Sequence, residues 1–209
     1  MLPEKLAAGH RRFRTGRLAH ERDRYEELAR TGQRPETMII GCCDSRAGPE
    51  TIFDASPGEL FIVRNVANVV PPYTPDGEHH GTSAALEFAV QALKVKHIVV
   101  MGHGRCGGIS AFLDEAAEPL SPGDFIGNWM SLIAPAKAHC DDHAAEGRDL
   151  QGRMERASVA NSIDNLMTFP CVRILAERGR LTLHGAWFDI STGELETLDR
   201  ANGRFVRLD

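Results

Sequence analysis

The sequence predicts an α/β fold built on a mainly parallel β-sheet with flanking helices. Short apolar runs rich in β-branched residues alternate along the chain with longer amphipathic segments, which is the order of strands and helices in such folds. The strand-like runs are apolar throughout, as expected for parallel strands that are covered on both faces. With 209 residues and 42% hydrophobic content, residues 1–209 have the size and composition of one domain.

The individual elements follow from polarity patterns and from residues that begin or end helices. An amphipathic pattern over residues 3–30 predicts one or two helices, with a break near Gly16, that form an N-terminal arm. Proline suits a first helical turn and glycine a helix end, which predicts a helix from Pro170 to about Gly179. The predicted strands are 37–41, 60–63, 97–101, 181–188 and 194–198. The other predicted helices are 49–54, 82–93 with Thr82 or Ser83 as N-cap, 107–115, 124–146 with a break at Pro135, and 152–168.

Charge and cysteine usage exclude several classes of protein. The net charge of -5 provides no basic surface for nucleic acid. No apolar stretch approaches the about 18 residues of a membrane span, and no apolar signal-peptide segment is visible. Five cysteines, an odd number, argue against a disulfide framework and favour a reducing compartment. We therefore expect a cytoplasmic protein that binds neither nucleic acid nor a membrane.

Two short motifs at predicted strand ends carry candidate metal ligands. Cys42 follows the first predicted strand, and His103 and Cys106 follow the third. In parallel sheets, ligands bind beyond the carboxyl ends of the strands, so the three residues are expected to converge at one edge. Two thiolates and one imidazole leave the fourth tetrahedral position of Zn²⁺ open for water, as in catalytic zinc sites. We therefore expect one zinc ion per subunit at these residues.

Residues just after Cys42 extend this chemistry. On an extended strand end, Asp44 points to the same side as Cys42, so its carboxylate can accept a hydrogen bond from the water that zinc activates. Arg46 can form a bidentate pair with Asp44 and keep it ionised. Neighbouring residues face opposite ways, so we expect Cys43 to point away from the metal as a small, buried, apolar residue.

The run Gly102–Gly107 also matches the G-x-G-x-x-G pattern of dinucleotide-binding loops. That interpretation requires a second strand ending in an acidic residue about 20 residues further on. Residues 119–126 instead resemble a loop followed by a helix, and the pattern leaves Cys42 and Asp44 without a role. We therefore favour the metal site.

The two motifs resemble those of the β-class carbonic anhydrases, and the similarity extends over nearly the whole chain. The matching motifs are Cys42-x-Asp44-Ser45-Arg46 and His103-x-x-Cys106-Gly107-Gly108, together with the segment Phe61–Asn68 between them. The resemblance implies reversible hydration of carbon dioxide to bicarbonate and a proton. It also implies zinc on Cys42, His103 and Cys106, and a catalytic pair formed by Asp44 and Arg46.

The resemblance further implies a pocket for the small-molecule substrate. The corresponding residues are Gln33, Phe61, Phe88 and Gly107. Gln33 would donate a hydrogen bond to the substrate, and Gly107 matches a pocket glycine. Phe61 and Phe88 match apolar pocket positions, although both would be equally ordinary as core residues.

A second comparison within the family concerns regulation. One subtype is inhibited by bicarbonate through a Trp–Arg–Tyr triad, and this chain has Ile39, Arg64 and Phe188 at those places. The chain therefore resembles the plant-like, open-site subtype. We do not expect bicarbonate regulation, and we expect Arg64 to have a structural role.

The resemblance also implies the assembly. Family members have a mainly parallel sheet with a final antiparallel edge strand, and they form a dimer or a dimer of dimers. Their active sites lie at the dimer interface, and their N-terminal helices pack on the partner subunit. Two alternatives stay open: a hydrolase of carbonyl sulfide or carbon disulfide at the same metal, and a non-catalytic zinc- or thiol-sensing protein.

Overall fold

The computed structural model describes residues 1–142 and 149–208, and within this range one six-stranded sheet is formed. Its strands are β1 (Thr37–Cys42), β2 (Leu60–Asn65), β3 (His97–His103), β4 (Thr182–Phe188), β5 (Leu195–Asp199) and β6 (Arg204–Arg207). The spatial order is β2-β1-β3-β4-β5-β6, with parallel pairing from β2 to β4 and antiparallel pairing of β5 and β6. The predicted α/β fold is thus confirmed, and its antiparallel edge has two strands. The sequence analysis missed β6, a short edge strand whose ends are charged.

Helices flank the sheet close to the predicted positions. They are α1 (Glu4–Thr15), α2 (Arg17–Thr31), α3 (Pro49–Ile52), α4 (Gly81–Glu87), α5 (Gly107–Leu113), α6 (Phe125–Met130), α7 (Lys137–Asp142), α8 (Leu150–Thr168) and α9 (Pro170–Glu177). A π-helical segment, Phe88–Leu93, continues α4, and a 3₁₀ segment with Pro135 joins α6 to α7. Residues 143–146 of the predicted helix 124–146 lie outside the described residues.

The predicted N-cap of α4 is wrong. His80 precedes the helix without a side-chain cap, and Thr82 lies inside the first turn. The Thr82 hydroxyl accepts a hydrogen bond from the Asn65 side-chain amide at 3.1 Å, so it joins the helix to the end of β2 instead. A tertiary contact has replaced the local cap that the sequence suggested.

The long helix α8 packs on β3 and β4, the two central strands of the sheet, and contributes buried residues to the core. Val159, Ile163 and Leu166 on its inner face are fully or almost fully buried. The helix comes close to β3 because Gly102 has no side chain: an added Cβ there would lie 2.7 Å from a methyl group of Val159. This close approach places the first turns of α8 next to the loop that follows the carboxyl end of β3.

The N-terminal arm consists of α1 and α2, with the predicted break at Gly16. Neither helix contains a buried residue in the described protomer. Polar contacts connect α2 to the rest of the chain, including a hydrogen bond from Arg24 to the Pro57 carbonyl at 3.3 Å. None of the helices in the described part of the chain combines the length and apolar character needed to cross a membrane.

Candidate metal centre

Three sulfur and nitrogen ligands meet at the carboxyl edge of the sheet. Cys42 is the last residue of β1, His103 is the last residue of β3, and Cys106 follows three residues later. All three are at least 95% buried, and their ligand atoms lie within 4.8 Å of one another. Gly107, the first residue of α5, comes directly after Cys106 and so borders the same cluster.

The hydrogen bonding of His103 fits a metal ligand. Its Nδ1 lies 2.9 Å from the Gly104 carbonyl oxygen, so Nδ1 carries the proton and donates to it. The lone pair is then on Nε2, which is buried and makes no hydrogen bond with any residue that the structure describes. An unpartnered buried nitrogen is costly unless a metal ion coordinates it.

The hydrogen bonding of the cluster favours the thiolate state at Cys42, with the Cys106 thiol as one of its donors. The Cys42 sulfur accepts hydrogen bonds from the backbone N–H groups of Ala67, at 3.3 Å, and Asp44, at 3.5 Å. A hydrogen bond from Cys106 lowers the pKa of the Cys42 thiol, and the same contact, with burial, raises the pKa of the Cys106 thiol. Two thiolates and a neutral imidazole form a donor set that zinc prefers.

Asp44 and Arg46 form the predicted bidentate pair beside the cluster. Arg46 Nε donates to Asp44 Oδ1 at 2.9 Å, and Nη2 donates to Oδ2 at 2.7 Å. These hydrogen bonds hold the pKa of the Asp44 carboxyl far below its usual range. Asp44 Oδ2 lies 3.9 Å from His103 Nε2, so an ionised oxygen borders the expected metal position.

Two arginines fix the loop that follows β1. Arg64 donates to the carbonyl oxygens of Cys42, at 2.8 Å, and Asp44, at 2.7 Å, which agrees with the expected structural role. Arg46 also donates to the Arg105 carbonyl oxygen at 3.1 Å, and this bond ties the loop to the one that carries Cys106.

Cys43 differs from the prediction in one respect. It is outside the ligand cluster, as alternation along the strand requires, but it is exposed rather than buried. Its backbone N–H donates to the Asn65 carbonyl at 2.8 Å and so extends the pairing of β1 with β2 by one residue.

Three of the four predicted pocket residues are not brought to the cluster by a single protomer. Phe61 pairs in register with Met38, four residues before Cys42, so it lies ~13 Å away along the strand direction. Phe88 packs against Phe61 with ring centroids 5.8 Å apart, and Gln33 is exposed just before β1. Gln33, Phe61 and Phe88 therefore lie toward the amino edge of the sheet, opposite the ligands.

The sequence analysis missed a buried carboxylate beside the cluster. Glu155 of α8 is 3% exposed and accepts a hydrogen bond from the Cys106 backbone N–H at 3.0 Å. Burial raises the pKa of the Glu155 carboxyl, and the hydrogen bonds that it accepts offset this only in part. A signal was present, because Glu155 is four residues before Val159 and so lies on the apolar face of its helix.

The fold and this cluster define an α/β protein with three possible metal ligands at the carboxyl edge of its sheet. Comparison with known proteins agrees. The profile of the carbonic anhydrase family matches residues 37–195. A carbonic anhydrase from Pseudomonas aeruginosa is 38% identical over 201 residues, which cover 92% of this chain and 89% of the relative.

Solved structures extend this similarity to the whole fold. The β-carbonic anhydrase CcaA is 31% identical with a TM-score of 0.87, over 99% of this chain and 92% of that chain. A tetrameric β-carbonic anhydrase from Sordaria macrospora is 33% identical with a TM-score of 0.74, over 94% and 96% of the two chains. The chain therefore belongs to the β-class carbonic anhydrases, and its enzymatic activity is that of this family.

Proposed function

We propose that this protein is a zinc enzyme that hydrates carbon dioxide reversibly to bicarbonate and a proton, with the metal on Cys42, His103 and Cys106. The observation that supports zinc most directly is the buried, unpartnered Nε2 of His103, within 4.8 Å of two cysteine sulfurs. When bound there, zinc would supply a Lewis acid that lowers the pKa of a water molecule and makes it nucleophilic.

Asp44 orients the attacking water. Its Oδ2 faces the ligand cluster and keeps a lone pair that Arg46 does not use. Because Arg46 keeps the Asp44 carboxyl ionised, this carboxylate acts only as a hydrogen-bond acceptor. It therefore holds the water by its O–H group and leaves the lone pair of the water directed toward the substrate. The bidentate contact also prevents rotation of the carboxylate, so its orientation is set before the substrate arrives.

The surroundings of the two cysteines suit an apolar substrate. Cys42 and Cys106 belong to a buried apolar cluster with Ala67, Ile109 and Met130. A nonpolar wall next to an ionised carboxylate favours entry of carbon dioxide and release of the charged product to water.

We also propose that a second copy of the chain completes the pocket, as a homodimer or a dimer of dimers. Gln33, Phe61 and Phe88 lie away from the ligands of their own protomer, and Phe88 is 50% exposed. The arm of α1 and α2 has no buried residue, so its apolar side is available to pack on a partner. A cytoplasmic location is proposed because an odd and small number of cysteines, five, does not suit a disulfide framework.

Metal analysis and stopped-flow hydration of carbon dioxide test the proposal. We expect about one zinc per chain, hydration that a chelator abolishes, and recovery when zinc is restored. Absence of stoichiometric metal would contradict it. Zinc-loaded protein that releases hydrogen sulfide from carbonyl sulfide but does not hydrate carbon dioxide would indicate the related hydrolase. Loaded protein inactive at alkaline pH toward both substrates would favour a sensing protein.

A further inference from the structure

Glu155 contacts groups on both sides of the metal loop, although the proposed reaction does not use it. Its Oε1 accepts hydrogen bonds from the Cys106 N–H, at 3.0 Å, and Gln151 Nε2, at 3.1 Å. Its Oε2 accepts one from Trp187 Nε1 at 3.1 Å. The donor atoms of all three groups are donors only, so both carboxylate oxygens serve as acceptors.

Gln151 holds the other side of the same ligand. Its Nε2 also donates to the Cys106 carbonyl oxygen at 3.3 Å. Gln151 and Glu155 are one helical turn apart on α8 and therefore share a face. The peptide groups before and after the Cα of Cys106 are thus held by one helix, which fixes the direction of its Cα–Cβ bond.

Trp187 is itself a fixed donor. Its ring packs against Gly104, where an added Cβ would lie 3.0 Å from the indole Cζ2. The guanidinium of Arg156 lies over the indole ring, with its Cζ 3.5 Å from the ring centroid. Arg156 in turn makes two hydrogen bonds to Glu196, at 2.8 and 2.7 Å. The indole N–H therefore stays directed at the Glu155 carboxylate.

We infer that Glu155 is a positioning residue for the metal, because it holds the Cys106 loop in the conformation that directs the thiolate at the cluster. The inference rests on the proposed zinc function and assigns part of the metal affinity to α8. Groups that orient metal ligands in this way typically change affinity by about 10–100-fold when they are replaced.

Glu155→Gln tests this role in the full-length protein. The amide has one acceptor oxygen and one NH₂ donor, so it can accept from Cys106 or from Trp187 but not from both. We expect zinc binding to weaken by about 10–100-fold, measured by competition with a chromogenic chelator. The absorption spectrum of Co²⁺-loaded protein should also change, because it reports the geometry around the metal. Asp164→Asn, at an exposed position of α8, is the matched control and should bind zinc like the wild type.

Two further variants keep the test decisive. Trp187→Phe removes the indole N–H, so Glu155→Gln should cost less zinc affinity in that background than alone. Gln151→Ala keeps the buried carboxylate but removes the contact with the Cys106 carbonyl and one of the hydrogen bonds that Glu155 accepts, and we expect severalfold weaker binding even where Glu155→Gln fails to fold.

Folded Glu155→Gln and Gln151→Ala proteins that bind zinc within twofold of the wild type would overturn the positioning role and leave the proposed zinc enzyme intact. If only Gln151→Ala folds, unchanged zinc binding in that variant would overturn it equally. Wild-type protein with no affinity for zinc would instead contradict the proposed function, and the positioning role with it.

Discussion

Replacement of Asp44 by asparagine tests whether its carboxylate orients the attacking water. Oδ1 accepts two hydrogen bonds, from the Arg46 backbone N–H and from Nε, both at 2.9 Å. Oδ2 accepts one, from Nη2 at 2.7 Å, and it lies 3.9 Å from His103 Nε2. Oδ2 is therefore the oxygen that remains free to accept a hydrogen bond from water at the metal position.

Asparagine keeps the shape of this side chain but has only one acceptor oxygen. The two donors at the Oδ1 position select the amide oxygen for that place, so the NH₂ group occupies the Oδ2 position. Water at the metal would then meet a donor, and Arg46 Nη2 would lose its acceptor. Groups that manage a proton in the transition state contribute about 10²–10⁴-fold. We expect kcat/KM to fall by about 10²–10³-fold, which equals about 3–4 kcal/mol.

Stopped-flow hydration and metal analysis on the same samples provide the measurement. The pair contributes little to folding because the Arg46 side chain is 48% exposed, so zinc content and thermal unfolding should stay close to wild type. Asp164→Asn makes the same chemical change on the surface of α8 and serves as control. Full turnover in Asp44→Asn would refute the orienting role, and loss of zinc together with activity would make Asp44 a metal ligand instead.

Three further predictions concern the ligands, the pH profile and the assembly. Cys42→Ser should lose nearly all zinc, whereas Cys43→Ser should retain it because its side chain lies outside the cluster; equal loss by metal analysis would contradict this assignment. Hydration should rise with pH above neutrality, because two thiolates make zinc a weaker Lewis acid than three imidazoles do. Ionisation of Asp44 does not cause this rise, because Arg46 lowers the pKa of its carboxyl and the group stays ionised. Activity that is flat down to pH 6 would be inconsistent with this view. Phe88→Asp should shift the protein toward monomer in light scattering and lower its activity, and an unchanged assembly would show that Phe88 is not at an interface.

The positions of the ligands were predictable because they depend on local patterns. An apolar run such as 37–41 predicts a buried strand. The parallel topology then brings the carboxyl ends of such strands to one edge of the sheet. Side-chain alternation then distinguishes Cys42 from Cys43 as the ligand. The burial of Cys43 was predicted wrongly, because alternation gives the direction of a side chain but not what covers it.

Features that depend on distant residues could not be predicted in the same way. The contact between Glu155 and the Cys106 N–H joins residues 49 positions apart, and no local pattern specifies the register between α8 and the metal loop. The failure of Thr82 as an N-cap has a similar cause, since its hydroxyl accepts a hydrogen bond from the Asn65 side-chain amide. In both cases a tertiary hydrogen bond determines the role of a polar side chain whose local pattern suggests another.

The two ligand loops are fixed by different contacts, and this difference separates metal binding from turnover. At Cys106, the helix α8 holds the peptide groups through Gln151 and Glu155, so changes there act first on the direction of a ligand. At Asp44, Arg46 holds the carboxylate, so changes there act first on the water that attacks. Arg46 also reaches the carbonyl of Arg105 at 3.1 Å, which couples the two loops at one point. Glu155→Gln should therefore differ from Asp44→Asn in its main effect, which is on zinc affinity rather than on the turnover of loaded protein.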